Sequence, residues 1–500
     1  MCVFLHENSN PAMKLELTES RREKLKTAAF IFFLLVYLGL FLNAGIKVIS
    51  RPVLKINSDA VHYFKTAYNL VNYGTFSQQF PRGDEIGDES YRPRPTAKRE
   101  PGYPVFISPA FFFDPTLRGM SEGDFVFEDG ELILPSKAPC WLTLAALFLT
   151  SLLGMWVTLR FTRNRLLSIV ALFGIGLSPA FLVVVRQLLS ENLAALLLLG
   201  FSFTFYLSVK KGEIKYYAVS GLLLGVLVLT KGVFQFAWIV AACFILIHHL
   251  LKKVPLKRVA GVVFLFLLSY FIVVLPWMGR NYRHFGRAFI TERGGGTLVI
   301  RAVYNDMMTP KDYAASFIYW VPTRYTEELA VRLFGRDVIN RLDVTHPDSI
   351  HSSVKAIRAE KAREYENSVR ADSAMISMAV SEIKSHPFRH LIICFPFAWK
   401  GIFVEIDDHF FIPASLISLL LFTGFFAFTL RALIKREWEH VALVLPSLYL
   451  FGMHMLLTWC NPRYNKPMIP VLWIASLFVL QLAWQKISRR FEKSPDPGRE

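Results

Sequence analysis

The sequence predicts an all-α polytopic membrane protein, on three observations. Its 500 residues are 53% hydrophobic and only 19% charged, with a mean hydropathy of +0.37, too apolar for an ordinary soluble chain. Apolar runs of roughly 17 to 20 residues recur, each long enough at ~1.5 Å per residue to cross a hydrocarbon core about 30 Å thick. The 56 Lys and Arg exceed the 39 Asp and Glu for a net charge of +17, yet the basic residues fall in short clusters between those runs. A nucleic-acid surface would gather them in one patch, whereas loops on one membrane face distribute them this way, so the expected partner is a bilayer and not a nucleic acid.

About ten spans are predicted, at 28–46, 139–159, 166–185, 193–209, 216–230, 232–251, 259–277, 410–430, 441–458 and 467–485. The stretch from Tyr216 to Leu251 is too long for one span, and Lys231-Gly232 interrupts it where a turn is needed, so it is expected to be a hairpin of two helices. Arg21, Arg22, Lys24 and Lys26 precede the first span in a segment too long and too charged for a cleaved signal, which predicts a retained anchor. The clusters Arg160/Arg163/Arg165, Lys210/Lys211/Lys215, Lys252/Lys253/Lys257/Arg258, Arg431/Lys435/Arg436 and Lys486/Arg489/Arg490 all fall on one side of these spans, which is therefore expected to be cytoplasmic. The organisation that follows is a cytoplasmic segment 1–27, the first span 28–46, an outer loop 47–138, a six-helix region 139–277, a second outer loop 278–409, a three-helix region 410–485 and a cytoplasmic tail 486–500.

The two outer loops are long enough to need structure and function of their own. Residues 104–113 are apolar but short, and 388–404 carry Arg389, His390 and Lys400, so both are expected to be interfacial or re-entrant helices. Ser353 to Ser385 suggests an amphipathic helix, ended by His386-Pro387. The first ~12 residues and the tail from Ser494 are expected to be disordered. Cys2, Cys140, Cys243, Cys394 and Cys460 have no paired spacing, which indicates neither a disulfide framework nor a zinc site. Asp407-Asp408-His409 is read as a loop capping the eighth span rather than a metal site, and His248-His249 as a solvated cytoplasmic helix end. Gly294-Gly295-Gly296 is read as a turn, although such a cluster could also let backbone approach a ligand. No Asn-x-Ser/Thr sequon is present.

The polar residues placed where the apolar bundle meets the outer face form a consistent set: Asp59, Arg99-Glu100, Glu191, Lys231, Arg280-Asn281-Tyr282 and Arg463-Tyr464. Carboxylates and cations at one interface suit transfer from a lipid-linked phosphosugar, because a carboxylate can activate the acceptor while fixed positive charge holds the departing phosphate. Each residue also has a plainer role available. Asp59 could cap a juxtamembrane helix, Glu191 could cap the fourth span with Ser190, Arg99 could pair with Glu100, and Lys231, Arg280 and Arg463 could be interfacial anchors.

In chain order, Asp59-(x)3-Tyr63 with Ala67-Tyr68-Asn69-Leu70 and Tyr73-Gly74-Thr75-Phe76, then Arg99-Glu100-Pro101-Gly102-Tyr103-Pro104, then Leu188-Leu189-Ser190-Glu191-Asn192, resemble a known set of motifs. Gly221-(x)3-Gly225-(x)4-Thr230-Lys231, Pro276-Trp277-(x)2-Arg280-Asn281-Tyr282-(x)2-Phe285-Gly286 and Arg463-Tyr464-(x)2-Pro467 continue it over most of the chain. The set is similar to that of the GT-C fold glycosyltransferases that use polyprenyl- or dolichyl-phosphate sugars. These include the protein O-mannosyltransferases of glycosyltransferase family 39 and the bacterial aminoarabinose transferases of lipid A.

That resemblance implies a GT-C-like bundle plus interfacial helices, with Asp59 as general base and Glu191 as a second carboxylate that orients the acceptor. It implies Arg99, Lys231, Arg280 and Arg463 as ligands of the donor phosphate. His62, Tyr63, Glu100, Tyr103, Asn281, Tyr282 and Tyr464, in the same motifs, are expected to contact substrate. The implied partners are a polyprenyl-phosphate-linked sugar donor and a lipid, glycan or protein acceptor, with inversion at the anomeric carbon. Two departures matter. Ser58 and Ala60 flank Asp59 where many members carry a second acid, so a divalent metal is compatible with the chemistry but not indicated, and no other cofactor is implied. Lys231 stands where Arg is expected, which keeps the charge but loses bidentate phosphate geometry. The absence of sequons and of a retention signal points to a bacterial inner membrane with the site facing the periplasm or exterior. The competing functions are an O-antigen ligase or polymerase using a lipid-diphosphate oligosaccharide, which the early Asp59 disfavours, and a transporter or flippase, which would need ionisable residues inside the spans.

Overall fold

The computed structural model describes residues 11–79, 91–292, 294–365, 368–404 and 411–492. Residues 1–10, 493–500 and Asp407-Asp408-His409 therefore lie outside the described residues, and with them most of the expected disorder and the acidic loop; Pro11 and Ala12 are helical.

The architecture is all-α and polytopic, with one small sheet. Helix α1 (Pro11–Ser50) ends before Pro52, and α2 (Ser58–Tyr73), α3 (Gly102–Ile107), α4 (Pro109–Phe113) and α5 (Pro115–Arg118) lie in the first outer segment. Strands β1 (Leu54–Ile56), β2 (Phe127–Glu128) and β3 (Glu131–Leu134) form an antiparallel sheet in the order β1-β3-β2, with Leu54 opposite Leu134. Asp129 and Gly130, at φ +52° and +79°, make the tight turn between β2 and β3. The bundle continues with α6 (Ala138–Thr162), α7 (Arg165–Gly176), α8 (Pro179–Gln187), α9 (Glu191–Lys211), α10 (Ile214–Thr230), α11 (Ala237–Leu251) and α12 (Leu256–Phe285). The second outer segment is helical: α13 (Gly294–Met307), α14 (Pro310–Tyr319), α15 (Arg324–Phe334), α16 (Arg336–Leu342), α17 (Ile350–Glu364), α18 (Ser368–Ser385) and α19 (Pro387–Gly401). Helices α20 (Phe411–Ile434), α21 (Trp438–Leu457), α22 (Pro462–Asn465) and α23 (Ile469–Glu492) complete the chain.

Among the described residues nine helical stretches are long and apolar enough to cross a membrane: Glu23–Ser50, Ala138–Thr162, Arg165–Gln187, Glu191–Lys211, Gly232–Leu251, Leu256–Phe285, Pro413–Ile434, Trp438–Leu457 and Pro462–Arg489. The tenth expected span is α10, apolar but only 17 residues, or about 26 Å. The chain does reverse at Lys231-Gly232, but α10 packs along α12 and α9 rather than pairing with α11 as a simple hairpin would. Stretch Arg165–Gln187 is itself broken at Leu177-Ser178-Pro179, because the proline cannot continue the i to i−4 ladder.

Contacts between distant segments separate the two ends of the bundle. At the basic end, Arg165 reaches Thr27 at 3.1 Å, and Gln481 donates to the Thr162 carbonyl at 2.9 Å. At the opposite end, here termed outer, Lys137 Nζ donates to the Ser50 carbonyl at 3.4 Å and Arg186 to the carbonyls of Val48, Arg51 and Val53. Most of the apolar core runs through the bundle and takes in α2 to α4. A second core fills the outer helices around Tyr304, Trp320, Phe397 and Trp459.

Two local expectations are corrected and a third is refined. The amphipathic stretch 353–385 is two helices, α17 and α18, with Tyr365 extended after the first, although α18 does end at Ser385 before Pro387. His248 and His249 are buried, not solvated: His249 Nε2 lies 2.7 Å from the Tyr217 hydroxyl, and His248 stacks on Phe244. Residues 104–113 form two short helices, α3 and α4, divided where Pro109 follows Ser108.

Candidate active site

Two carboxylates stand in the first turns of two helices, Asp59 on α2 and Glu191 on α9, where the positive end of a helix favours negative charge. Asp59 Oδ1 is 2.5 Å from Arg99 Nη2 and its Oδ2 is 2.9 Å from Arg463 Nη2. Arg463 Nε is in turn 3.5 Å from Glu191 Oε1, which lies 3.3 Å from Lys231 Nζ. The result is a row of alternating charge, Arg99, Asp59, Arg463, Glu191, Lys231, drawn from five separate stretches of sequence. Within the row three cations face two carboxylates, one positive charge in excess; beside it Lys466 also acts on Glu191, and the buried Glu100 lies near Arg99 and Lys231. Arg99 is only 5% exposed, and its Nε and Nη1 have no hydrogen-bond partner.

The backbone on which these groups ride is strained. Ser58 (φ +47°), Leu188 (φ +48°) and Cys460 (φ +46°) occupy the left-handed region within three residues of Asp59, Glu191 and Arg463. For residues other than glycine that conformation costs roughly 1–2 kcal/mol each. Lys231 is fixed differently. Glu100 Oε1 accepts from the Gly232 N–H at 2.9 Å, and Gly102 lies so close to the end of α10 that a Cβ there would meet Thr230 Oγ1 at 2.5 Å and the Leu229 carbonyl at 2.8 Å. The segment Arg99 to Tyr103 is thus docked on the Lys231 turn, and Tyr103 completes the dock with a 3.0 Å hydrogen bond to Thr143. Arg99 therefore pairs with Asp59 and leaves Glu100 to hold the turn.

Burial pushes the Asp59 carboxyl up, but the charges of Arg99 and Arg463 outweigh it and hold the group below its ordinary pKa. His62, one turn further along α2, is pushed down to about 4 by burial and then by the nearby Arg99 charge, so it is neutral at physiological pH. Burial moves Glu100 the opposite way, above the usual carboxylate value. Tyr63 receives the Arg99 guanidinium over its ring at 5.7 Å and packs edge-on against Tyr103. Tyr464 lies under Arg463 and beside His454, whose Nδ1 is 2.8 Å from Asn465 Oδ1.

A cavity of about 400 Å³ opens against Arg99 and His62, walled also by Gln78, Lys98, Glu292 and Asp372. It lies between the two outer segments. Lys98, Glu292 and Asp372 were not singled out from sequence, and nothing in their local spacing marks them, because two segments far apart in the chain form the walls. The Gly294-Gly295-Gly296 cluster approaches protein rather than ligand. Gly295 and Gly296 donate to Asp372 Oδ1 at 2.8 and 3.3 Å, and a Cβ on Gly295 would meet the Asp372 carbonyl at 2.2 Å, so the glycines open α13 against α18.

The structure does not bring Arg280, Asn281 and Tyr282 into the row of charges. Arg280 donates to the carbonyls of Thr96 at 2.8 Å and Phe76 at 3.1 Å, and its guanidinium covers Trp277 at 4.8 Å. Asn281 Nδ2 donates to the Phe289 carbonyl at 2.8 Å, and Tyr282 is exposed. Arg280 alone of the three ties α12 to the stretch of chain that leads into Arg99. Among the described residues, no group of three His, Cys, Asp or Glu gathers where a metal ion could be held.

No protein-family model matches the chain, and neither does any curated protein. Three solved structures from Archaeoglobus fulgidus are similar at low sequence identity. The oligosaccharyltransferase AglB in complex with an inhibitory peptide and a dolichol-phosphate aligns at TM-score 0.46 and 14% identity, over 93% of this chain and 52% of that one. The oligosaccharyltransferase in its apo form aligns at 0.47 and 13%, over 92% and 51%. The oligosaccharyltransferase tethered to an acceptor peptide containing the NVT sequon aligns at 0.49 and 13%, again over 92% and 51%. The chain spans about half the length of these proteins. Each TM-score is below 0.5, so the case for function stands on the site's own residues.

Proposed function

We propose that the chain is a membrane glycosyltransferase of GT-C type that moves a sugar from a polyprenyl-phosphate carrier to a lipid, glycan or protein acceptor. The reaction would take place at the outer face, which in a bacterial inner membrane is the periplasmic side. The observation that carries this reading is the row of five charges with one cation in excess and two unpartnered Arg99 nitrogens beside a cavity.

An anionic phosphate is the ligand that such a site suits. Arg99, Arg463 and Lys231 already hold two carboxylates, and a phosphate whose charge grows as the glycosidic bond breaks takes up the remaining positive charge. The acceptor oxygen or nitrogen attacks the anomeric carbon from the face opposite the phosphate, the bond from that carbon to the phosphate oxygen breaks, and configuration inverts. The acceptor proton passes to an Asp59 oxygen, and the electron pair leaves with the polyprenyl phosphate. Asp59 is a weak base while both guanidiniums hold it, so a phosphate that draws Arg99 or Arg463 away raises its basicity as the donor binds. Glu191 keeps Arg463 and Lys231 in place.

The test is transfer of label from a panel of radiolabelled polyprenyl-phosphate monosaccharides, with the wild type and Asp59→Asn in membranes and with lipid and protein fractions counted separately. Label that moves only with the wild type supports the class and names the acceptor pool. Equal transfer by Asp59→Asn removes the base assignment. No transfer from any monosaccharide donor by folded protein favours the lipid-diphosphate oligosaccharide reading or a transporter.

A further inference from the structure

The outer helices hold a second group of cations that the proposed transfer does not use. Arg301 on α13 is completely buried. Its Nη2 donates to Cys394 Sγ at 3.1 Å, but its Nε and Nη1 have no partner. Its guanidinium lies over the Phe397 ring at 4.0 Å, and Lys400 Nζ lies over Trp459 at 3.3 Å and Trp320 at 5.0 Å. Phe397, Trp320 and Trp459 are themselves one packed cluster, with centroids 5.1 to 5.8 Å apart. The two cations therefore share one aromatic floor, and both act on Cys460 beside it. Among the described residues no Asp or Glu is paired with either of them.

Other buried polar atoms of the outer helices are also unpartnered: the Tyr304 hydroxyl, both amide atoms of Asn305, His351 Nδ1 and His390 Nδ1. Tyr304 and Asn305 follow Arg301 by three and four residues on α13, so both lie on its face of the helix. Tyr304 packs on Phe397 and Trp459, and His351 on Trp459, which brings those groups to the cluster too.

Orphaned buried donors on this scale call for an ordered partner. A guanidinium cannot give up its proton, and neither a ring face nor a thiol cancels its charge. Water would satisfy hydrogen bonds but would leave the charge. The fixed charge of Arg301 calls for an anion, and a phosphate group, which carries about −1.5 to −2 at neutral pH with oxygens that accept from several donors at once, also favours the charged form of Lys400 beside it. We propose that Arg301 and Lys400, with Tyr304 and Asn305, form a second anion site that takes a phosphate group, either inorganic phosphate or the phosphate of a lipid headgroup. This site lies across the 458–465 segment from the row of charges. Asn465 Nδ2 reaches both the Gly401 carbonyl at 2.9 Å and Cys460 Sγ at 3.7 Å, and Arg463 follows Cys460 by three residues. The proposal does not depend on the transfer reaction.

The experiment measures phosphate held by the full-length protein in detergent, for the wild type, Arg301→Met, Lys400→Met and Arg99→Met. The purified protein is first extracted with chloroform and methanol and both phases are assayed for phosphorus. A separate, unextracted portion in detergent is titrated with radiolabelled inorganic phosphate. A phosphate found in the wild type, kept in Arg99→Met and weakened about tenfold or more in Arg301→Met or Lys400→Met supports the site. Its phase tells a lipid headgroup from free phosphate. Lys400→Met, at a partly exposed position, keeps the test open if Arg301→Met fails to fold. No phosphorus in either phase together with no saturable binding, equal binding by both of these variants, or equally tight binding of chloride would each overturn it.

Discussion

Arg463 Nη2 lies 2.9 Å from Asp59 Oδ2, although 404 residues separate the two in the chain. The same guanidinium reaches Glu191 through Nε, so Arg463 joins the two carboxylates. A lysine ammonium is a point donor on a flexible stem and cannot span both. Arg463→Lys is therefore expected to keep a folded protein with a lower thermal midpoint and strongly reduced transfer. Arg463→Met, which leaves Asp59 and Glu191 short of a counter-charge, is expected to cost up to about 3 kcal/mol. Thermal unfolding in detergent checks the order wild type, Lys, Met; a Met variant as stable as the wild type would mean that the bridge contributes no stability.

Asp59 gives a pH dependence whose sign follows from its partners. Its folded pKa is depressed, so the stability it contributes is complete above the ordinary aspartate value and is lost as pH falls through the lower, folded value. Asp59→Asn is expected to lower the thermal midpoint at neutral pH, with the gap to the wild type constant down to the ordinary aspartate range and closing only below it. A gap that changes between pH 6 and 8 contradicts this. The same substitution is expected to abolish transfer at every pH.

Much of this was legible in the sequence because the membrane imposes a length scale on apolar runs. The spans and the common end of the basic clusters need only a count of residues and charges. Asp59, Arg99, Glu191, Lys231 and Arg463, which the structure brings together, are legible as candidates because each lies in an outer connection or at a span end, where a polar residue is conspicuous. Their pairing could not be found, since which cation meets which carboxylate depends on how α2, α9 and the 458–465 segment pack. Arg280 is grouped with the phosphate ligands for the same reason: a cation at a span end is conspicuous whether it binds phosphate or backbone carbonyls. The small sheet had a local signal in Asp129-Gly130, but an all-α expectation passes over it. The walls of the cavity, Lys98, Glu292 and Asp372, carry no local signal at all.

Gly102 tests how closely the Arg99 segment must approach α10. An alanine there places its Cβ against Thr230 Oγ1 and the Leu229 carbonyl, and backbone on one side cannot yield. Gly102→Ala is expected to destabilise by about 1–3 kcal/mol and to lower transfer by displacing Arg99. Gly452→Ala, with nothing within 4 Å of its Cβ, is the control and should leave both unchanged. Paired thermal melts and transfer assays decide it.

His62 supplies the complementary pH effect. Its folded pKa is about 4 against an ordinary value of 6.5, so between those limits the unfolded chain takes up a proton that the folded site refuses, and stability falls as pH drops through that window. His351, also at about 4, adds to the slope. His62→Gln is expected to make the decline in thermal midpoint between pH 6.5 and 4 shallower, leaving the values above pH 7 little changed. An identical slope in the variant would show that His62 is protonated in the folded protein.

Arg280 separates a phosphate ligand from a structural tie. If it bound the donor, Arg280→Met would raise KM for the lipid-linked sugar and leave the folded protein as stable as before. The structure instead commits its guanidinium to the carbonyls of Thr96 and Phe76, on the stretch that ends in Arg99. Charge-assisted bonds of this kind contribute about 1.5–3 kcal/mol each, and their loss frees the segment that carries Arg99 to Asp59. The expected outcome is a lower thermal midpoint and a lower kcat, because the row of charges loses its alignment, with KM for the donor changed less than kcat. A variant with wild-type stability and a raised KM alone would return Arg280 to the phosphate.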